Sequence, residues 1–557
     1  MKRKSLLMVL TLILVVGTVL AGCGSKNDNG GSTASGGDKG SSSAAKEQVL
    51  HINLSAEPPT FDPAQAQDTQ ANTVLKMMYE GLVRIDKDNN PIPGVAEKWD
   101  VSSDGLKYVF HLRKDAKWSN GDPVTAKDFV FAWERVLNPA TSPAPPYAYQ
   151  LYYIKGAEDY NTKKITDFNQ VGVKATDDNT LEVTLNNPTP YFLGLTSFYT
   201  FYPVHQSVKD NAKWATDPKL MVTNGPFTLT TWTTGQKIEV TKSANYWDNK
   251  DIKLNKVTMS LSNSSATELS SYKAGQLDYA GNPNGTIPTD QMPAVKNELK
   301  DELDLKPIGS IYYYLFNTTA KPFDNVKIRK AFSMAISRQD IVDKVTMSEE
   351  TPAFGFVPPG ISGDKGEYRT EFKDDFFTED MEEAKKLLAE GMQEEGYTTL
   401  PPITLIYNSD DKHKKIALAI ADMWKKNLGV EVKTENQEWG VFLKNRQNLN
   451  YQIARAGWSP DYNDPMTFFD LWTSTSGNND SGFKNKEYDA LIKDAFSTPD
   501  TAKRMEDFKK AETMIIKDQQ IVLPIYYYTN VALIKPNLKG VIIDYAGQVD
   551  FTRAYFE

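Results

Sequence analysis

Hydrophobic positions along this chain change period several times, and each change predicts an element. Residues 6–20 form an apolar run, preceded by Lys2, Arg3 and Lys4 and followed by small residues. That run is too short and too early for a comfortable membrane span, and it reads as the core of a secretory signal. Lys107–Leu112 alternates polar and apolar as a strand does, and so do residues 181–185. Thr125 reads as the N-cap of an amphipathic helix through Phe129, Trp133 and Leu137, stopped by Asn138-Pro139. Between His413 and Gly429, the positions Ile416, Ile420, Met423, Trp424 and Leu428 keep helical spacing. Gly429 ends that helix, and Val430-Glu431-Val432 resumes a strand. The fold class is mixed α/β, without the 20–50-residue repeat of a solenoid or propeller.

Two tyrosine triplets, Tyr312-Tyr313-Tyr314 and Tyr526-Tyr527-Tyr528, sit in apolar, β-favouring runs. They predict two buried strands. Their hydroxyls either reach the surface or, if the strands cross between lobes, face a cleft.

The apolar N-terminal run closes on Leu20-Ala21-Gly22-Cys23, which resembles the lipobox of bacterial lipoproteins. In that motif the cysteine sulfur receives a diacylglycerol and the preceding peptide bond is cut. Cys23 is the only cysteine among 557 residues, so no internal disulfide and no catalytic thiol is expected. Residues 24–46 hold six Gly and six Ser and no large apolar side chain. They read as a flexible tether spanning about 25 Å. This places the body outside the cytoplasmic membrane, on a lipid anchor, and the spacer composition suggests a Gram-positive source.

The remaining part of the chain is too long for one core and should divide into several domains. Tyr, Phe and Trp number 27, 25 and 10, enough to build large cores or a ring-lined concavity. The formal charge is −9 and no Lys/Arg cluster forms a basic face, which argues against nucleic acid. Beyond the signal no apolar run approaches the roughly 18 residues of a membrane span. The four histidines, His51, His111, His205 and His413, are scattered, and no nucleophile, zinc or phosphate-loop motif occurs. The chain reads as a binder, not an enzyme, with no cofactor and no metal.

Several segments, read in order, resemble the oligopeptide-binding lipoproteins of ATP-driven importers, the large three-domain solute-binding family of peptide/nickel type. They are Pro59-Thr60-Phe61-Asp62-Pro63, Tyr79-Glu80-Gly81-Leu82 and Pro93-Gly94-Val95-Ala96-Glu97-Lys98-Trp99. Ala116-Lys117-Trp118-Ser119-Asn120-Gly121, Thr223-Asn224-Gly225-Pro226-Phe227 and Asn245-Tyr246-Trp247 follow. Pro322-Phe323-Asp324-Asn325-Val326 and Ala454-Arg455-Ala456-Gly457-Trp458 complete the series. Each is weak alone; their order over about residues 48–557 is specific. The resemblance implies a bilobal, type II periplasmic-binding-protein-like fold with an inserted extra domain and two interlobe crossing strands. After a signal at 1–22 and a tether at 23–47, it puts a discontinuous first lobe at 48–79, 206–309 and 524–557. The inserted domain falls at 80–205 and the second lobe at 310–523. The implied partners are short peptides and the permease subunits of an ABC transporter, with the receptor itself a monomer.

The same resemblance supplies candidate peptide-binding residues. Asp461 matches the carboxylate that pairs with a ligand ammonium, although it also reads as a cap in the turn-rich run Ser459 to Pro465. Arg455, Arg446 and His413 match three positions that meet the carboxylates of ligands of different lengths. His413 is expected near a helix N-terminus, where the dipole favours an anion and disfavours imidazolium. Backbone pairing is expected from an extended stretch at Gln67, Asp68 and Thr69, from Gly457, and from Asn282. Tyr147, Trp439, Trp458 and Tyr313 match rings around side-chain pockets, although Trp439 reads equally well as core. Gln67 replaces an acid common in relatives, and Ser310 and Ser459 replace a bridging cysteine pair found in some. A relative tuned to dipeptides, a signalling peptide, haem or a nickel complex is the alternative.

Overall fold

The computed structural model describes residues 48–557 except 88, 89, 190 and 212. The apolar signal, Cys23 and the tether therefore lie outside the described residues. Among the described residues no helix is long and apolar enough to cross a membrane.

Three sheets organise the body. Val49–Asn53, Lys256–Ser260, Lys237–Lys242 and Phe227–Thr233 form a four-stranded sheet in that order. Its first strand runs parallel to its neighbour and the others are antiparallel. Period-2 alternation turns Leu50, Ile52, Val257, Met259, Ile238 and Val240 into the core. Ala96–Val101, Lys107–Leu112, Thr180–Thr184 and Val173–Asp177 form a second, antiparallel sheet. It contains both strands expected from alternation. The helix Ala126–Leu137 packs on it and begins where expected, because the Asp128 carboxylate accepts the Thr125 backbone N–H at 2.8 Å.

The third sheet has seven strands. Its centre is a pair of long antiparallel strands, Leu303–Phe316 and Val522–Ile534. Leu303, Leu305, Val531 and Leu533 pack into one core with Leu269, Tyr272 and Val295. Tyr312, Tyr314, Phe316, Leu523, Ile525 and Tyr526 pack into another with Ile328, Phe332, Ile416 and Trp424. Each strand therefore serves one core at one end and a different core at the other, and the pairing register shifts between Pro307 and Ile311. These are the two interlobe crossings of a bilobal fold. Ile453–Trp458, Ile403–Asn408 and Val432–Gln437 extend the sheet within the second lobe.

The tyrosine triplets fall on the crossings, with Tyr312 opposite Tyr526 and their rings stacked at 4.9 Å. Their hydroxyls do not reach the surface as one reading expected. Tyr312, Tyr314 and Tyr526 are fully buried, and only Tyr528 of that face is half-buried. At the two positions expected to replace a cysteine pair, the Ser310 hydroxyl donates to the Ala546 carbonyl and accepts from the Ser459 hydroxyl, both at 2.9 Å. The helix expected from His413 starts earlier, as Asp411–Leu428, because Asp410 accepts the His413 backbone N–H at 2.9 Å. Gly429 ends it with φ +70°, and the next strand begins at Val432.

Candidate functional site

Between the lobes lies a cavity of about 240 Å³, and all thirteen residues singled out from the sequence line it. They arrive from distant elements. Ile453–Trp458 supplies Arg455, Gly457 and Trp458, and the loop after it supplies Asp461. The N-terminus of Asp411–Leu428 supplies His413, while Trp439–Gln447 supplies Trp439 and Arg446. Opposite them stand Gln67, Asp68, Thr69, Tyr147 and Asn282.

Asp461 meets no cation among the described residues. Its carboxylate accepts one hydrogen bond, from the Gln150 side-chain amide at 2.6 Å. Burial and then the neighbouring Asp470 hold its carboxyl well above the usual range, with Gln150 opposing them. The turn after Trp458 is capped by another residue: Asp464 accepts the Met466 N–H at 2.9 Å and is clamped by Arg504. Asp461 is thus left as a carboxylate facing the cavity.

Arg455 likewise has no carboxylate within 4 Å among the described residues. Its guanidinium donates to the Tyr528 hydroxyl at 2.9 Å and lies 4.9 Å from the centre of the Tyr312 ring, and its Nε is unpartnered. His413 lies partly buried beside it, and its Nδ1, which is itself buried, makes no hydrogen bond. Burial, then Arg455, then Lys412 push the imidazole well below its ordinary range, so it is neutral. Arg446 differs from both. Asp480 receives it through Nη2 at 2.7 Å and Nε at 3.1 Å, so its charge is already compensated. The three positions thus hold one guanidinium without a carboxylate partner, one neutral imidazole, in line with the dipole argument, and one arginine already paired.

Two backbone expectations change as well. Of Gln67, Asp68 and Thr69, Asp68 is extended, with φ −128° and ψ 156°, but Thr69 already opens a helix. Asp68 caps the helix Thr69–Met78 by accepting the Ala71 N–H at 2.9 Å, so what faces the cavity is a helix N-terminus. Burial pushes the Asp68 carboxyl up to about 7. Asn282 donates its own N–H to Val531 at 2.9 Å, and its carbonyl accepts from the Tyr279 hydroxyl, so its main chain is already engaged. Gly457 is sterically confined. A Cβ there would stand 3.1 Å from the Tyr528 hydroxyl and 3.3 Å from Arg455 Nη2. Ile453–Trp458 pairs along its length with Leu303–Phe316, but with Ile403–Asn408 only at Ile453 and Ala454. From Arg455 onward its other edge carries no strand among the described residues.

The rings form two groups. Trp458 and Tyr147 face each other from opposite lobes at 6.3 Å, with Phe198 and Tyr199 against Tyr147. Trp439 is half-buried, stacks on Phe442 at 6.0 Å and leaves its indole N–H unpartnered. Tyr313 is mostly core, edge-on to Phe356 and Trp472. Sequence reasoning missed Gln150, Lys412 and Asp480, whereas Tyr528 belongs to the triplet already expected at the cleft. Lys412 lines the cavity, paired with buried Glu350 at 2.8 Å, and its place beside His413 was a usable signal. Gln150 and Asp480 carry none.

Both rims are bridged. Tyr149 meets Asn478 at 3.2 Å, and Tyr191 stacks on Tyr462 at 4.9 Å. On the other side Thr286 donates to Asp410 at 2.9 Å and Lys415 to Asp290 at 2.7 Å. The family described as bacterial extracellular solute-binding proteins, family 5 Middle, matches residues 90–480. The chain belongs to this family. Among relatives, "Oligopeptide-binding protein OppA" of Bacillus subtilis is 43% identical over 555 residues, 99% of each chain. The structure of Haemophilus influenzae OppA in complex with RPPGFSPFR superimposes with a TM-score of 0.86 at 35% identity. That match covers 92% of this chain and 99% of the other. The unliganded open form of the murein tripeptide-binding protein MppA gives 0.59 at 34% identity, over 92% of this chain and 98% of the other. The family 5 fold here is therefore in the closed arrangement, in agreement with the bridged rims.

Proposed function

We propose that this chain is an extracytoplasmic receptor that binds short peptides by their termini and backbone and delivers them to an ABC permease. One observation carries the reading. A single closed cavity holds an unpaired carboxylate, Asp461, an unpaired guanidinium, Arg455, and an unpaired strand edge beside both. A peptide offers the complement of each: an ammonium, a carboxylate and a ladder of N–H and C=O groups. Main-chain pairing makes recognition largely independent of ligand sequence, and the half-buried rings leave side chains loosely held. The receptor is a monomeric binder and not a catalyst, held to the membrane through a lipid on Cys23. Its rigid bodies follow the boundaries expected from the sequence, with 310–523 moving against the rest. Ligand stabilises the closed state, which the permease distinguishes from the open one.

Thermal unfolding of the purified protein against peptides of two to six residues tests this. Ligands should raise Tm according to RT ln(1 + [L]/Kd). Absence of a shift with every length would refute peptide binding.

A further inference from the structure

A second cavity, of about 510 Å³, adjoins the cleft and has no part in the reading above. Asp461 and Ser459 line both cavities, whereas Arg455, Arg446, Lys412 and His413 line only the cleft. The annex therefore joins the cleft at its Asp461 end, away from the cations. Its size falls within the roughly 300–1,000 Å³ of small-ligand pockets.

The walls of the annex are short of positive charge. Glu80, Asp461, Asp544 and Asp550 line it against Lys76 and Arg84, and Glu80 also accepts from the Tyr246 hydroxyl and the Trp247 indole, each at 2.6 Å. Arg84 is shared between Glu80 and Asp248, each at 3.6 Å, and Lys76 stands 4.0 Å from Asp544. Burial holds the carboxyls of Glu80, Asp461 and Asp544 above their ordinary range. Tyr202 and Tyr545 also line it, and tyrosine rings attract cations.

We propose that the annex receives a cationic group carried ahead of the ligand's first residue, so that the receptor accepts peptides whose amino end is extended by a guanidinium- or ammonium-bearing arm. This rests on the reading that a ligand's amino end lies at Asp461. A chain running past Asp461 presents it with an amide N–H, and the positive charge moves on to a wall whose acids outnumber its bases.

Calorimetry on the full chain with three probes tests this: trialanine, Nα-hexanoyl-trialanine and Nα-(6-guanidinohexanoyl)-trialanine. The guanidino arm should bind at least about tenfold more tightly than the neutral arm. Gly194 lines only the annex, and a Cβ there meets nothing within 4 Å. In the series Gly194→Ala, Gly194→Leu and Gly194→Phe, the advantage of the guanidino arm should shrink as the side chain grows, while trialanine binding stays constant. Equal affinity of the two arms overturns the proposal, as does an advantage indifferent to side-chain size. The orientation it rests on is checked separately: trialanine binding unaffected by Asp461→Asn would sink that reading whatever the arms do.

Discussion

Gln150 donates its side-chain amide to the Asp461 carboxylate at 2.6 Å, joining residues 311 positions apart across the cleft. This neutral donor holds Asp461, whereas an ammonium would compensate it fully. An amide supplies a hydrogen bond but no charge, so the carboxylate remains electrostatically unsatisfied.

Asp461→Asn should therefore weaken free-amine peptides by about 3–5 kcal/mol, roughly 10²–10⁴ in affinity. An N-acetylated peptide has no ammonium, so it should bind wild type poorly and respond little to the substitution. Calorimetry of both peptides against both proteins, with circular dichroism as a folding control, decides it. Equal losses for the two peptides would show that Asp461 acts only through structure.

Proton release should accompany binding. The empty-cleft carboxyl of Asp461 is held well above its usual range, and an incoming ammonium lowers it again. The empty state thus binds the proton more tightly than the loaded state. Affinity should rise with pH through the empty-state value and level off above it. His413 has the opposite sign, because a ligand carboxylate raises a depressed imidazole. Calorimetry in buffers of different ionisation enthalpy should show release by wild type, and Asp461→Asn should abolish that release. Identical proton counts for the two proteins would contradict this origin.

The fold was legible where periodicity was strong and local. Lys107–Leu112 alternated and paired on both edges, and the helix stripe ending at Gly429 fixed both packing face and stop. The motif order brought the candidate residues to one cavity although up to about 400 positions separate them. What stayed hidden was set by partners. Nothing near Arg446 announces Asp480, and nothing near Asp461 announces Gln150, because both pairs form only when distant segments fold together. The end of the extended stretch at Thr69 was hidden for a related reason: the Asp68 side chain takes the Ala71 N–H and opens a helix there.

Cys23→Ser should free the protein from the membrane or leave it unprocessed with its signal attached. The argument is chemical, since a hydroxyl cannot form the thioether of the expected anchor. Labelling with a radioactive fatty acid and fractionating membranes from medium measures it. Processing and retention equal to wild type would eliminate the lipid anchor.

The paired state of Arg446 separates its role from that of Arg455. Arg446→Met leaves Asp480 buried without its counter-ion, and loss of one partner of such a pair costs about 3–5 kcal/mol of stability. Adding Asp480→Asn should restore much of that loss, because neither charge then remains. Arg455→Met breaks no ion pair, so it should leave stability nearly unchanged and instead weaken those peptides whose carboxylate reaches it. Asp480→Asn alone releases the Arg446 guanidinium into the cleft. It should tighten binding at one ligand length by about tenfold relative to the others. Urea unfolding of the four proteins of the Arg446/Asp480 cycle, with affinities for peptides of two to six residues, checks every part. Additive stability effects in that cycle would mean that the pair contributes nothing. A uniform change across lengths on Arg455→Met or Asp480→Asn would show that neither arginine selects ligands by length.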